Sequence, residues 1–184
     1  LNSAVFFSIQ MHDRVQKNNF HTMTETHKRP SWDEYFMTIM EAVATRATCD
    51  RGRAGSVIAR DKQILVTGYV GAPRGLPHCD EVGHQMKTIT HEDGHTTQHC
   101  LRTAHAEQNA IVQAAKLGVS IDGGTFYCRM TPCSACAKMI INSGIKRVVC
   151  QKRYHAGSES EDMFRHVGIE LNYIEEGIQE YPKQ

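Results

Sequence analysis

Two stretches determine how the rest of the chain is interpreted, His105-Ala106-Glu107 and Pro132-Cys133-Ser134-Ala135-Cys136, and Cys133 follows His105 by 28 residues. One imidazole and two thiols form a zinc ligand set that leaves the fourth position open, as catalytic zinc sites require. Glu107 supplies the carboxylate that such a site needs for proton transfer. We therefore predict that His105, Cys133 and Cys136 bind zinc and that Glu107 is the catalytic acid–base.

Two predicted helices carry these groups. Residues 106–116 show apolar side chains at helical spacing, which places His105 in the first turn of a helix. Thr131-Pro132 is typical of an N-cap followed by a first helical residue. Cys133 and Cys136 are three residues apart and so share one helix face. Both ligand groups then lie at helix N-termini, where the dipole favours thiolate over thiol.

Each part of the motif has a simpler interpretation when it is taken alone. The pair Cys133 and Cys136 is also compatible with a redox couple or with half of a structural zinc site. A lone His105 is also compatible with a buried, hydrogen-bonded histidine. Their occurrence in this order, together with Pro132 and Glu107, favours a catalytic zinc site.

Composition limits the remaining possibilities. A chain of 184 residues with 40% hydrophobic and 22% charged residues is typical of one globular domain. The net charge of +1 indicates no general attraction to nucleic acid or to an anionic membrane, and no apolar run reaches the length of a membrane span. The chain has seven cysteines, and two of them form a C-x-x-C motif. An odd number of cysteines with such a motif indicates metal binding in a reducing compartment and not a disulfide scaffold. We expect a cytoplasmic protein, or one of the host cytoplasm if it is viral.

The chain divides into an N-terminal extension, 1–28, and one domain, 29–184, that contains the predicted zinc site. Val5-Phe6-Phe7 follows no charged region, so a signal peptide is not predicted. We interpret the extension as a tag or as an arm that packs on a neighbour, and Met23 fits a natural start.

The sequence pattern of the domain predicts alternating helices and strands in the order αββαβαβαβ. This order is typical of an α/β fold. Ser31 and Glu34 form a capping box for a helix that runs to about Ala47. Strands at 55–59 and 64–69 flank a polar turn and predict a hairpin. Residues 71–99 are rich in Gly, Pro and His and are interpreted as a long functional loop. Because strands alternate with helices beyond this loop, we expect a sheet covered on both faces, with parallel pairing at the end opposite the hairpin.

The sequence resembles the deoxycytidylate (dCMP) deaminase family, within the cytidine-deaminase-like superfamily, over about residues 29 to 174. The H-x-E…P-C-x-x-C signature is that of zinc nucleobase deaminases. The stretches that carry the resemblance are Arg46-Ala47-Thr48-Cys49, Thr67 to Gly75, His78-Cys79, His105 to Ala110, Thr131 to Lys138 and Ser143 to Val148. The resemblance implies a three-layer αβα sandwich with a mixed five-stranded sheet.

The resemblance also implies an activity in pyrimidine nucleotide biosynthesis, the hydrolysis of dCMP to dUMP and ammonia. A zinc-bound hydroxide would attack C4 of cytosine, and Glu107 would pass a proton to N3 and then assist ammonia release. The backbone N–H of Ala106 would contact the base carbonyl. A homo-oligomer, often a hexamer, is further implied.

One residue departs from the family pattern. Val70 stands where the family has the asparagine of Gly-Tyr-Asn-Gly, which contacts the sugar. The departure leaves open a deaminase of dCTP or of a 5-substituted dCMP. A tRNA adenosine deaminase shares the motif, but a net charge of +1 and 7% aromatic residues do not indicate RNA binding. A nucleoside deaminase is expected to have cysteine in place of His105, and an intact Glu107 argues against a catalytically inactive zinc scaffold.

Two further groups of residues are predicted to bind ligands. A nucleotide phosphate needs cationic or N–H donors, for which Arg51, Arg53, Arg74 and Tyr154 are candidates, with solvated surface groups as the alternative. Some phage members of the family carry a second, structural zinc. We predict that Cys49, Cys79, Cys100 and His84 form such a closed four-ligand site, against the alternative of three buried thiols and a solvated histidine-rich loop.

Overall fold

A computed structural model describes residues 28–90, 94 and 96–179. The predicted N-terminal extension, apart from Lys28, lies outside the described residues. The helices are α1 (Trp32–Ala44), α2 (Cys79–Val82), α3 (Ala106–Leu117), α4 (Ser134–Asn142) and α5 (Ser158–His166). The strands are β1 (Gly55–Arg60), β2 (Gln63–Tyr69), β3 (Met86–Thr90), β4 (Thr96–Cys100), β5 (Thr125–Met130), β6 (Arg147–Tyr154), β7 (Glu170–Tyr173) and β8 (Ile178–Gln179).

Five strands form a mixed sheet in the order β2-β1-β5-β6-β7. The hairpin β1–β2 and the pair β1–β5 are antiparallel, whereas β5, β6 and β7 run parallel. The two-residue strand β8 extends the sheet by pairing with Arg153 and Tyr154 at the end of β6. The predicted mixed sheet, with a hairpin at one end and parallel pairing at the other, is confirmed.

Helices cover both faces of this sheet, as the three-layer prediction requires. On one face, Phe36 and Met40 of α1 pack with Val57 of β1. On the other face, Ile58 of β1 packs with Ala110 of α3, within a core that also includes α4 and α5. Adjacent residues of β1 thus face opposite layers, because strand side chains alternate.

Helix α1 begins at the predicted capping box. The Ser31 hydroxyl accepts the Glu34 N–H at 3.2 Å, and the Glu34 carboxylate accepts the Ser31 N–H at 2.7 Å. The helix ends at Ala44, shortly before the predicted boundary. Arg147 of β6 donates to both carboxylate oxygens of Asp33 at 2.7 and 2.8 Å, which ties α1 to the sheet.

The β1–β2 turn is Asp61-Lys62, as predicted. Both residues have positive φ, 52° and 64°, which is the backbone geometry of a two-residue type I′ turn. This turn matches the twist of the two strands and so fixes their register.

The segment predicted to be a long loop contains regular structure. Within residues 71–99 the chain forms α2, β3 and part of β4, and β3 pairs with β4 as an antiparallel ribbon separate from the main sheet. Every residue of β3 is exposed. The prediction of a loop was wrong because a strand without a buried face lacks the apolar–polar alternation that identifies strands in sequence.

Helix α3 lies very close to β2 at Gly68. A Cβ atom at this position would overlap the carbonyl oxygen of Ala106 and the amide nitrogen of Ala110. The Ser56 hydroxyl of β1 donates to the same Ala106 carbonyl at 2.9 Å. The first turn of α3 therefore rests directly on the β1–β2 backbone, and its position is fixed by the absence of a side chain at residue 68.

Candidate metal centre and substrate pocket

The predicted zinc ligands lie at two helix N-termini. His105 is the N-cap of α3, and its N–H is accepted by the Gln108 side chain at 2.9 Å. Cys133 is the N-cap of α4 and accepts the Ala137 N–H at 2.8 Å. Helix α4 therefore begins two residues later than predicted, with Cys133 in the capping position that Thr131 was expected to hold. The start shifts because the Cys133 carbonyl, not that of Thr131, accepts the first helical bond.

The three donor atoms have the spacing of a tetrahedral metal site. Cys133 Sγ and Cys136 Sγ lie 3.5 and 3.4 Å from His105 Nδ1. Tetrahedral zinc bonds of about 2.1 Å to nitrogen and 2.3 Å to sulfur place such ligand atoms about 3.6 Å apart. The side chains therefore fit a zinc ion without rearrangement.

The charges of the donor set also suit a cation. The contact with Cys136 and, after it, the contact with His105 lower the pKa of the Cys133 thiol to about 3. The Cys133 side chain in turn raises the pKa of His105 to about 9, and its proximity raises the pKa of the Cys136 thiol. A divalent cation would replace these shared protons, because metal ligands bind as thiolate and neutral imidazole.

Glu107 lies beside the donor set. Its Oε2 atom is 3.9 Å from Cys136 Sγ, but Glu107 does not belong to the group of donors whose ligand atoms all lie within 4.8 Å of one another. The cavity leaves part of the residue accessible to solvent, yet protein atoms crowd its carboxyl, and this burial raises the pKa of Glu107. A raised pKa makes a carboxylate a better proton acceptor, which is the property that a general base needs.

A cavity is lined by Glu107 and by two residues of the donor set, His105 and Cys133. Of the other residues predicted for the substrate, Val70, Ala106, Arg51 and Tyr154 line this cavity. Arg53 and Arg74 do not. Arg53 instead forms an ion pair with Asp80 at 3.1 Å and donates to the Ala47 carbonyl.

Sequence reasoning missed several cavity residues. Gln98, His99, Met130 and Thr131 line the cavity, although none was predicted to do so. The Thr131 hydroxyl, buried, accepts the backbone N–H of Tyr154 at 3.1 Å. His99 was not predicted as a cavity residue because residues 71–99 were interpreted as a loop, whereas His99 lies in strand β4.

The second predicted ligand set is also brought together. The ligand atoms of Cys49, Cys79, His84 and Cys100 lie within 4.8 Å of one another. Cys49 Sγ is 3.7 Å from His84 Nδ1, and Cys79 Sγ is 3.6 Å from Cys100 Sγ. Tetrahedral zinc places neighbouring ligand atoms about 3.6–3.8 Å apart, so the four groups fit a closed site.

A carboxylate outside this cluster orients its histidine. Asp50 Oδ1 lies 2.9 Å from His84 Nε2, so the other ring nitrogen, Nδ1, points toward Cys49. Histidines that bind zinc usually donate their second N–H to a carboxylate in this way. Backbone N–H groups of Arg102 and Gln85 outweigh the effect of burial and lower the pKa of the Cys100 thiol to about 7.

Among the described residues, no helix combines the length and apolar character needed to cross a bilayer.

Comparison with known proteins gives consistent matches. Residues 30–152 match the family model of the cytidine and deoxycytidylate deaminase zinc-binding region. ComE operon protein 2 of Bacillus subtilis is 37% identical over 148 residues, which are 80% of this chain and 74% of that protein. The deoxycytidylate deaminase of Schizosaccharomyces pombe is 31% identical over 93% of this chain, but only 52% of its own length is covered.

A solved structure extends the match to the fold. The dCMP deaminase of the cyanophage S-TIM5, in complex with dCMP and dUMP, aligns with a TM-score of 0.64 and 31% identity. The alignment covers 80% of this chain and 100% of the phage chain. By its sequence, its fold and its paired helix N-termini, the chain belongs to the cytidine and deoxycytidylate deaminase family.

Proposed function

We propose that this protein is a zinc-dependent hydrolase that converts dCMP and water to dUMP and ammonia. The observation that carries the proposal is the placement of Glu107 beside the clustered donors His105, Cys133 and Cys136, at a cavity that Glu107, His105 and Cys133 line. The phage dCMP deaminase in complex with dCMP and dUMP supports the choice of nucleotide. In this reaction the C4–N bond of cytosine breaks and a C4–O bond forms.

The protein groups have separate tasks in this proposal. His105, Cys133 and Cys136 hold the zinc ion, which when bound acts as a Lewis acid and lowers the pKa of water. Glu107 accepts a proton of the attacking water at a carboxylate oxygen, transfers it to N3 of the base and later moves the second proton of that water to the leaving amine. Burial raises the pKa of Glu107, which favours the protonated form that this role requires.

The backbone at the start of α3 is proposed to orient the base. Ala106 is the first residue of α3, so its N–H has no acceptor within the helix. Because Ala106 also lines the cavity, this N–H is suited to donate to the carbonyl of cytosine. The bond from Ser56 to the Ala106 carbonyl fixes the same peptide segment.

Arg51 and Tyr154 are proposed to contact the phosphate group or the sugar. Both line the cavity, whereas Arg53 and Arg74 do not, so the proposal rests on the first pair. A guanidinium binds phosphate oxygens through charge-assisted hydrogen bonds. The backbone of Tyr154 is held by the hydrogen bond from its N–H to the Thr131 hydroxyl.

The Cys49, Cys79, His84 and Cys100 cluster is proposed to be a second, structural zinc site. Four protein ligands close the coordination sphere and leave no position for a substrate. The cluster joins Cys49, after α1, to three residues of a later part of the chain, namely Cys79 of α2, His84 between α2 and β3, and Cys100 of β4. Zinc bound here would stabilise a part of the molecule that has little apolar core of its own.

The presence of Val70 in the cavity wall favours an alternative proposal, in which the same reaction acts on a different cytosine nucleotide. Its side chain lines the cavity and makes this wall apolar. A deaminase of dCTP or of a 5-substituted dCMP would use the same zinc ligands and the same carboxylate. We further propose cytoplasmic location, to which seven free thiols are suited, and a homo-oligomer, which light scattering of the purified protein would test.

The direct test is ammonia release from a panel of nucleotides. We expect turnover of dCMP to exceed that of dCTP, deoxycytidine, AMP and GMP, and no turnover with the Glu107→Gln variant. If dCTP or 5-methyl-dCMP were turned over faster than dCMP, that nucleotide would be the preferred substrate, as in the alternative proposal. Release from adenine or guanine nucleotides alone would reject the proposal.

A further inference from the structure

Tyr173, the last residue of β7, lies behind the cavity wall and does not line the cavity. Its hydroxyl oxygen is 3.1 Å from that of Thr131, a buried residue of the wall. The Thr131 hydroxyl also accepts the backbone N–H of Tyr154, another residue of the wall, at 3.1 Å. Tyr173 is thus connected to two cavity residues through one oxygen atom.

The direction of each hydrogen bond follows from Glu161. The Tyr173 hydroxyl has a single proton, and its oxygen lies 2.7 Å from Glu161 Oε1. A carboxylate accepts hydrogen bonds and does not donate them, so this proton belongs to the bond with Glu161. The bond between the two hydroxyls is then donated by Thr131 and accepted by Tyr173. All the bonds run in one direction, from the Tyr154 N–H to the Glu161 carboxylate.

Arg153 holds the far end of this chain of hydrogen bonds. Its Nη1 atom donates to both carboxylate oxygens of Glu161 at 3.1 Å. Its guanidinium carbon also lies 4.3 Å from the centre of the Tyr173 ring, a distance typical of a cation–π contact. Hydrogen bonds that run in one direction polarise each other, and a charged acceptor strengthens the last of them. The Thr131 hydroxyl is therefore held in one orientation, with its proton directed at Tyr173.

This orientation affects the shape of the cavity because it joins two separate segments. Thr131 lies between β5 and α4, and Tyr154 is the last residue of β6. With its proton directed at Tyr173, the Thr131 oxygen presents a lone pair to the Tyr154 N–H. Removal of the Tyr173 hydroxyl takes the acceptor away from a buried donor, which carries a free-energy cost. We expect the two segments to shift until that donor finds another partner.

We infer that Tyr173 is a positioning residue for the substrate, which through Thr131 fixes the Tyr154 side of the cavity without touching the substrate itself. The inference rests on the proposed function, since it assumes that dCMP occupies this cavity. The Tyr173 hydroxyl transmits the constraint as a hydrogen-bonding group and transfers no proton in the reaction. Substrate affinity should therefore depend on this hydroxyl, whereas the chemical step at Glu107 should not.

The test compares variants that remove one hydroxyl each. Tyr173→Phe deletes the hydroxyl and keeps the ring beside Arg153, and Thr131→Val deletes the other hydroxyl at nearly the same shape. Tyr127→Phe is the matched control, because the Tyr127 hydroxyl also donates to a carboxylate, that of Asp33, at 2.9 Å. Tyr127 packs in the core on the α1 face of the sheet and does not line the cavity.

Three properties are measured for every variant in the zinc-loaded protein. Steady-state kinetics with dCMP give KM and kcat separately. Amide hydrogen exchange followed by NMR reports how firmly the Tyr154 N–H is held, and it does so without substrate. Metal analysis gives the zinc content.

We expect Tyr173→Phe to raise KM for dCMP by about 3- to 10-fold, as for the loss of one hydrogen bond, and to leave kcat within about twofold. Exchange at the Tyr154 amide should become faster. Thr131→Val should have at least the same effect, and the double variant should be no worse than Thr131→Val, since both changes remove the same bond. Tyr127→Phe should alter neither KM nor the exchange at Tyr154.

Several results would overturn the inference. Unchanged KM and unchanged exchange in Tyr173→Phe would disconnect Tyr173 from the cavity. The same rise in KM in Tyr127→Phe would assign the effect to general stability, and a lower kcat or a loss of zinc in Tyr173→Phe would assign it to the metal site. Failure of the proposed function is distinguishable, because the native protein would then release no ammonia from dCMP while exchange at Tyr154 still responded to Tyr173→Phe.

Discussion

Cys136 Sγ lies 3.9 Å from Glu107 Oε2, while Glu107 is outside the cluster of metal-binding donors to which Cys136 belongs, so the proposed proton carrier lies next to a proposed metal ligand. The two residues come from different helices, α4 and α3, whose N-termini meet at the cavity. Metal binding and proton transfer are thereby assigned to different side chains, and substitution can separate them.

The first prediction concerns this separation. Glu107→Gln should reduce turnover of dCMP by at least ~10²–10⁴-fold, the usual contribution of an acid–base group. Zinc should remain bound, because all three proposed ligands are intact. Steady-state kinetics and metal analysis check the two parts, with the exposed Glu159→Gln as control. Near-complete activity, or loss of zinc, in Glu107→Gln would contradict the proposed role.

The second prediction concerns metal content. The native protein should contain two zinc ions per chain, and Cys79→Ser should retain one. Cys150→Ala is the control, since Cys150 is a buried thiol outside both clusters. The Cys79→Ser protein should also unfold at lower temperature, because a closed zinc site contributes to folding. A single zinc ion in the native protein would leave the cluster as buried thiols and a histidine.

The third prediction concerns Arg51. Arg51→Ala should raise KM for dCMP and leave the weak turnover of deoxycytidine unchanged, because only the nucleotide carries the phosphate group. Arg74→Ala is the matched control, since Arg74 is exposed and does not line the cavity. Parallel kinetics with both substrates distinguish the outcomes. Equal loss on the two substrates would show that Arg51 acts through the fold, for example through its bond to Gln98.

The fourth prediction concerns Val70. Val70→Asn restores a hydrogen-bonding side chain at a cavity wall that is now apolar. We expect turnover of dCMP to rise and turnover of 5-methyl-dCMP to fall, by a modest ratio, because a pocket discriminates one methyl group by only ~1–3 kcal/mol. Assays with dCMP, 5-methyl-dCMP and dCTP side by side provide the measurement. A uniform decrease on all three would make Val70 a packing residue.

The fifth prediction concerns the ion pair between Asp33 and Arg147. The hydrogen bond from Arg147 lowers the pKa of Asp33 below its ordinary value of 3.8. The pair therefore stabilises the fold above about pH 4, and this contribution is lost as the pH falls through the lowered pKa. Asp33→Asn should reduce the free energy of unfolding at pH 7 by about 1–3 kcal/mol.

Urea unfolding at pH 7 and at pH 3 measures this effect. The difference between native protein and Asp33→Asn should shrink at the lower pH. Asp162→Asn is the matched control, because Asp162 forms an exposed ion pair with Arg165, and exposed pairs contribute little. A difference that is the same at both pH values would assign the effect to packing and not to charge.

The sequence predicted those parts of the fold whose signals are local. Ser31 and Glu34 lie within one helical turn, and the Asp61-Lys62 turn joins two strands directly, so short-range pattern was sufficient for both. Strand β3 was missed because its side chains are all exposed, and strand prediction depends on a buried face. The boundary of α4 was displaced because Thr131 has the chemistry of a cap, yet its hydroxyl accepts the N–H of Tyr154 and the Cys133 carbonyl accepts the first helical bond.

In the candidate site too, residues of a distinctive motif could be predicted, whereas residues of common chemistry could not. The grouping of His105, Cys133 and Cys136 was predictable because their order and spacing form a distinctive motif, and the structure brings their donor atoms together. The arginines were not, because Arg51 and Arg53 are two residues apart and have the same chemistry, yet only Arg51 lines the cavity. Which of two such residues reaches a cavity depends on the tertiary path of the backbone, which sequence pattern does not contain.

The lack of a side chain at Gly68 helps to position the candidate metal site, because helix α3 approaches β2 closely there. The first turn of α3 contacts β2 where a side chain would stand, and His105 caps that same turn. A methyl group at residue 68 would push the helix N-terminus outward and carry the imidazole away from the two thiols on α4. Gly68→Ala would therefore act as a metal-site mutation although the residue contacts no ligand, and attempts to stabilise β2 by replacing its glycine would lower zinc affinity.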